Sequence, residues 1–110
     1  MTESAELSYA EQRGYPRLQM YAGVFMTQGD LAYLSELANV SAGGARVQTP
    51  GNWETDMDAV YNLFFILDQD RILCIRARVV HESDAAIGFK FEPGYAIQAE
   101  QLLAESRNWR

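Results

Sequence analysis

The stretch Ala59 to Val79, AVYNLFFILDQDRILCIRARV, decides the fold. Its first half is dense in β-branched and aromatic residues (Val60, Tyr61, Phe64, Phe65, Ile66), which suit a pleated surface better than a helix. Asp68-Gln69-Asp70 interrupts it with turn-forming residues, and a second apolar run begins at Arg71. In an extended chain Leu73, Ile75, Ala77 and Val79 of that run share one face, while Arg76 and Arg78 share the other. One dry face and one wet face is the pattern of an antiparallel strand covering a core on one side only. The stretch is therefore a hairpin, with strands over Ala59 to Leu67 and from Arg71 onward.

Further strands are predicted on both sides of it. From Arg17 to Gln28 the alternation Leu18, Met20, Ala22, Val24, Met26 marks a strand, and Gln28-Gly29-Asp30 marks a turn. Leu31 to Val40 fits a second strand less cleanly. Ala45 to Gln48 is a short third strand before the breakers Thr49-Pro50-Gly51-Asn52, where the edge of the barrel is expected. Ser83-Asp84 supplies another turn, and Ala86 to Phe91 a last strand. Beyond Pro93-Gly94, Tyr95 to Arg107 is rich in Ala, Gln, Glu and Leu and has helix propensity, with Tyr95, Ala99, Leu102 and Leu103 roughly on one face. About six hairpin-spaced strands and one C-terminal helix predict a mainly all-β small antiparallel barrel, since no βαβ crossover is available.

Composition narrows the functional classes. The 110 residues fit one domain, and no apolar run approaches the roughly 18 residues needed to span a bilayer. Residues 1–12 are polar and small without periodicity, which predicts a flexible N-terminal arm ahead of one folded domain over 13–110. The opening residues do not resemble a secretory signal and Cys74 is the only cysteine, so a cytoplasmic setting is expected. A net charge of −6, from 9 basic and 15 acidic residues, argues against general binding to nucleic acid or insertion at an anionic membrane. An anion would have to be captured locally. Arg46, Arg71, Arg76 and Arg78 fall on predicted strands, which leaves room for a basic patch in an acidic protein.

Two short segments carry chemistry. In Arg13-Gly14-Tyr15-Pro16-Arg17, Pro16 excludes a helix interior and biases Tyr15 toward extended geometry, so Arg13 and Arg17 belong to a loop. A loop can bring two guanidinium forks together to grip phosphate, to meet guanine O6 and N7, or to stack on a base. An Arg-x-x-x-Arg match is expected by chance roughly 0.5 times in such a chain, whereas Asn39-x-Ser41-x-x-Gly44 has a chance expectation of roughly 0.04. Asn39 to Gly44 reads equally as a bare hairpin turn and as a ligand turn, because Asn, Ser and Gly are ordinary turn residues.

Other candidates read as structural. His81 has no second histidine or cysteine to complete a metal set and is expected at the surface near a strand end. Cys74 is expected as a buried small hydrophobe, Glu54, Asp56 and Asp58 as a solvated loop, and Trp53 and Trp109 as packing residues. No nucleophile with its base and no paired acid and base stands out, so no catalytic residue, metal or cofactor is expected.

Arg13-x-x-x-Arg17 followed by Asn39-x-Ser41-x-x-Gly44, then Arg78-Val79-Val80 and Ile87-Gly88-Phe89-Lys90-Phe91, resembles a PilZ domain. The likeness runs from about Gln12 to the helix, so that 13–110 would be the PilZ domain. The resemblance implies a six-stranded antiparallel barrel with a C-terminal helix and, where both motifs are kept, binding of the bacterial second messenger cyclic di-GMP. It further implies that Arg13 and Arg17 hold guanine and phosphate groups and that Asn39 and Ser41 contact the ligand from the barrel surface. Gly44 would keep the turn open, with Gly43 assisting. Such a domain would act as a stand-alone adaptor whose N-terminal loop wraps the ligand and alters the surface offered to a downstream protein partner. The alternative is a barrel of the same fold that serves protein–protein interaction and ignores nucleotide.

Overall fold

The computed structural model describes residues 23–54 and 56–107. The expected arm over 1–12, the arginines Arg13 and Arg17, the first half of the first predicted strand and Trp109 lie outside the described residues. Six strands form: β1 (Gly23–Gln28), β2 (Leu31–Val40), β3 (Gly44–Gln48), β4 (Val60–Asp68), β5 (Arg71–Glu82) and β6 (Ala86–Phe91), followed by helix α1 (Ala96–Ser106). They pair antiparallel throughout and close in the order β1-β2-β3-β6-β5-β4. β3 pairs with β6 and completes the ring, and it ends at Gln48, just before the Thr49 breakers. Closure satisfies the backbone groups that an open sheet would leave at its rim.

Local chemistry explains each link. Gln28 faces Leu31 across Gly29-Asp30, and Gly29 takes φ 57°, a left-handed backbone that glycine adopts without cost. Asp68 faces Arg71 across Gln69-Asp70, and the Asp68 carboxylate accepts the Asp70 amide at 2.9 Å. Ser83 closes the β5–β6 turn, its hydroxyl oxygen accepting the amides of Ala85 and Ala86 at 3.2 and 3.1 Å. The β3–β4 connection is long because it must cross the barrel end, from the neighbour of β6 to the neighbour of β1. Trp53 plugs that end: its ring lies 4.9 Å from Tyr33 and 5.4 Å from Tyr61, and its indole N–H donates to Glu82 at 2.8 Å. The same Glu82 oxygen accepts the Asp56 amide at 3.0 Å. Burial, followed by the nearby Asp56 charge, pushes the Tyr61 phenol up to about 12.

Alternation fills the interior. Val24, Met26, Val47, Leu63, Phe65, Ile75, Ala77, Val79 and Ile87 are fully buried, and α1 adds Ala99 and Leu102 to the same core. Large aliphatic and aromatic side chains of this kind each contribute about 1.5–3 kcal/mol when withdrawn from water. The helix is tied down from outside as well. Arg71, at the start of β5, makes a two-pronged ion pair with Glu105 of α1, with Nη2 at 2.9 Å, and a third contact with Asp68 at 2.9 Å. Trp53 packs as expected, His81 lies exposed near the end of β5, and Glu54 and Asp58 are exposed in the loop, with Asp56 half-buried. Cys74 departs from expectation. It is exposed on the outer wall, in phase with Arg76 and Arg78 rather than with Ile75, and partial desolvation by its apolar neighbours raises its thiol pKa.

The β3–β6 seam that closes the ring leaves no room for a side chain at Gly44. A Cβ there would stand 2.2 Å from the Phe89 carbonyl oxygen, whereas at Gly43 it would meet nothing within 4 Å. Gly44→Ala should therefore force β3 from β6 and cost about 1–3 kcal/mol or more, and Gly43→Ala should be close to neutral. Paired thermal or urea melts measure the contrast, and equal melts for the two variants would refute it.

A second outcome concerns acid. The Glu105 carboxyl is held below its ordinary range by the Arg71 guanidinium, and that of Asp68 by the Asp70 amide and then by Arg71. A carboxyl whose pKa is lower folded than unfolded contributes stability above its unfolded value, near 4, and loses it as pH falls through the folded value. The stability difference between wild type and Arg71→Gln should therefore be present at pH 6 and shrink below about pH 4. Thermal unfolding across that range is the measurement, with a small effect expected because these groups face solvent.

Candidate functional site

The hairpin between β2 and β3 is built from the second motif. Ser41 and Gly44 face each other across Ala42-Gly43, with the Ser41 amide donating to the Gly44 carbonyl at 2.9 Å. The Ser41 hydroxyl oxygen accepts the Gly43 amide at 3.3 Å and lies 3.4 Å from the Gly44 carbonyl oxygen. Both distances are long for hydrogen bonds, so the hydroxyl is loosely held and can turn to a better partner. On the barrel side, the Phe91 amide donates to the Gly43 carbonyl at 2.9 Å, which anchors the turn against β6.

A bulge brings Asn39 into the same place. The register of β2 against β3 shifts between Leu37, opposite Val47, and Asn39, opposite Arg46. The extra residue lets Leu37 stay in the core while Asn39 is exposed on the outer wall. Asn39, Ser41, Gly44, Ala45, Arg46 and Phe89 line one shallow depression of about 270 Å³. Four of the six residues singled out from the sequence are thus assembled at one spot: Asn39, Ser41 and Gly44 line it, and Gly43 forms the adjoining turn. Arg13 and Arg17 lie outside the described residues.

The structure adds a cationic wall that the sequence pattern did not single out as part of the site. Arg46 sits directly between Asn39 on β2 and Gly88 on β6, Lys90 sits opposite Gly44, and Arg78 sits opposite Lys90. All three side chains are exposed, on the outer face. Arg78 is partly neutralised by Glu92 at 3.3 Å. The basic patch that the strand positions left room for therefore includes Arg46 and Arg78, with Lys90 between them. The signal available in the sequence was parity: Arg46 is two residues beyond Gly44, hence on the same face of β3.

A larger cleft, of about 490 Å³, lies between α1 and the β4–β5 turn, but Arg71 and Glu105, which line it, are engaged with each other there. Among the described residues no group of three or more His, Cys, Asp or Glu side chains is arranged to hold a metal ion, and no helix is long and apolar enough to cross a membrane.

Comparison with known proteins agrees with this architecture. The PilZ domain crystal structure of CeSA from a cellulose-synthesizing bacterium superposes with a TM-score of 0.62 at 16% identity, over 81% of this chain and 92% of that one. The Bacillus subtilis inhibitor of motility MotI/DgrA superposes with a TM-score of 0.61 at 18% identity, over 92% of this chain and 54% of that one. No curated protein matches in sequence. The PilZ domain family model matches residues 11–106. PilZ domains are binding and adaptor modules, generally receptors for cyclic di-GMP, that interact with partner proteins. With six strands closed in one antiparallel ring, a helix over its end and a family match along almost the whole length, this chain belongs to the PilZ domain family.

Proposed function

We propose that this protein is a cyclic di-GMP receptor and adaptor of the cytoplasm, not an enzyme, which binds the dinucleotide against the β2–β3 hairpin and thereby changes the surface it offers to a downstream protein. The observation that carries the reading is the gathering of Asn39, Ser41, Gly44 and Arg46 around one depression, with Lys90 and Arg78 alongside, on a protein whose net charge is −6. A dianionic ligand would be repelled by the protein as a whole and drawn to this one place.

The chemistry divides among the residues. Asn39 and Ser41 offer neutral donors and acceptors from the wall, and the loosely held Ser41 hydroxyl can turn outward without stranding a buried partner. Gly44 sets the height of the floor, since any side chain there would meet the Phe89 carbonyl, and Gly43 leaves open space above the turn. Arg13 and Arg17, from the chain segment preceding β1, would supply the guanidinium forks that phosphate and the O6/N7 edge of guanine both match. Closing that segment over the ligand would couple binding to a new surface, as differential contacts in two states require.

Isothermal titration with cyclic di-GMP, and GMP as control, tests the reading. Arg13→Ala and Arg17→Ala should each weaken binding by about 10- to 150-fold, as the loss of a charge-assisted contact does. Ser41→Ala should cost about 2- to 12-fold, as for a neutral hydrogen bond. Affinity should fall with added salt, and the slope should flatten in the arginine variants. Folded protein that takes up no cyclic di-GMP would overturn the proposal in favour of a barrel that serves protein–protein contact alone.

A further inference from the structure

Two register shifts each turn outward a side chain that strict alternation would send inward. On β2 the shift between Leu37 and Asn39 exposes Asn39. On β5 the register against β6 shifts between Val79 and His81, so that Val79 stays in the core while Val80 and His81 are both exposed. Glu82 then turns back to the Trp53 indole. Bulges re-aim side chains in this way and recur beside binding sites. Both deliver to the same line: Asn39 lies opposite Arg46, Arg46 opposite Gly88, and Gly88 opposite His81. The outer wall of β2, β3, β6 and β5 thus carries one row whose two end residues reach the surface because of the bulges.

We infer that this row is a base-binding strip continuous with the hairpin depression, and that His81 is a further ligand contact: one guanine of the dinucleotide lies over Gly88, against the His81 imidazole, with its O6/N7 edge toward Arg46. This assignment rests on the protein's being a cyclic di-GMP receptor and extends the site onto β6 and β5. Gly88 serves as the floor because a position without a Cβ lets a flat ring approach the backbone. A Cβ built on Gly88 would stand 3.2 Å from the His81 Cβ, closer than the roughly 4.5–5.5 Å usual for facing residues, so the histidine is rooted at the rim of the bare position. On a closed ring the outward side chains of neighbouring strands splay apart. The close approach of His81 offsets that splay on one side, and on the other the long Arg46 side chain can reach back over Gly88. A bare backbone flanked by two planar side chains suits a flat ring rather than a tetrahedral phosphate, since imidazole and guanidinium planes both stack on bases. The guanidinium fork also matches the paired acceptors of guanine. Lys90, opposite Gly44 in the next row, and Arg78 beyond it remain for the phosphates.

Isothermal titration of the full chain with cyclic di-GMP tests the strip. Arg46 and His81 are exposed, so their variants should keep the fold, which circular dichroism verifies. His81→Ala should weaken binding by about 5- to 150-fold, the loss expected for one stacked base. His81→Phe, which keeps a ring, should bind within a few-fold of wild type, whereas His81→Lys, which supplies charge without a ring, should bind as poorly as His81→Ala. Arg46→Lys keeps the charge but loses the fork, and should cost about fivefold or more. Wild-type affinity in His81→Ala, alongside weakened binding in the hairpin variant Ser41→Ala, would overturn the strip and leave the receptor standing. So would a His81→Lys variant that outbinds His81→Phe, while a folded wild type that takes up no cyclic di-GMP would overturn both.

Discussion

The seam between β3 and β6 is the constraint on which the rest of the molecule depends. Without it the six strands form an open sheet with two unpaired edges, and the interior lined by Val47, Ile87 and Phe89 is exposed along one side. The seam begins where Gly44 faces Lys90, at a separation that admits no Cβ. It continues with Gly88 facing Arg46 on one side and His81 on the other, where a Cβ would come within 3.2 Å of the His81 Cβ. Glycine in a strand interior is entropically unfavourable and offers nothing to pack, so its presence at both points marks close approach of neighbouring chain. Gly44 thus has a structural duty whether or not a ligand is present.

The same closure builds the hairpin site. Because β3 is short and joined to β6, the β2–β3 turn is pulled against the wall and held by the Phe91 amide on the Gly43 carbonyl. The bulge in β2 then decides which residues look outward. Without the register shift between Leu37 and Asn39, the outward phase of β2 opposite Arg46 would fall on a different residue. A small barrel has little concave surface of its own. This one makes a polar recess by bending one strand and stripping side chains from the neighbouring glycines.

What the sequence revealed follows from where alternation is undisturbed. The β4–β5 hairpin was legible because Leu63, Phe65, Ile75, Ala77 and Val79 keep strict parity and Asp68 and Asp70 punctuate them. β2 was less legible because its inner phase carries the polar Ser35, whose hydroxyl donates to the Gln48 carbonyl at 2.5 Å, while its outer phase carries the apolar Leu34. Cys74 was misjudged for a related reason: parity places it outside, but its neighbours on that wall are apolar and made the whole segment look buried. At the site, Asn39, Ser41 and Gly44 could be read from spacing. Arg46 could be joined to them by its parity with Gly44, but Lys90 and Arg78 could not, since their adjacency depends on strand order, which one-dimensional patterning does not contain.

Two opposite walls of one ring therefore carry opposite chemistry, and the strand order explains why they do not interfere. The polar, cationic face runs over β2, β3, β6 and the C-terminal half of β5, whereas the apolar face runs over the N-terminal half of β2, β1, β4 and the N-terminal half of β5. The two long strands, β2 and β5, take part in both faces and separate them along their length. In β5 the change occurs between Cys74 and Arg78, where outward residues pass from apolar through Arg76 to the basic row. On β2 the turn from one face to the other falls at the bulge, with Leu34 and Glu36 on the ladder to β1 before it and Asn39 on the ladder to β3 after it.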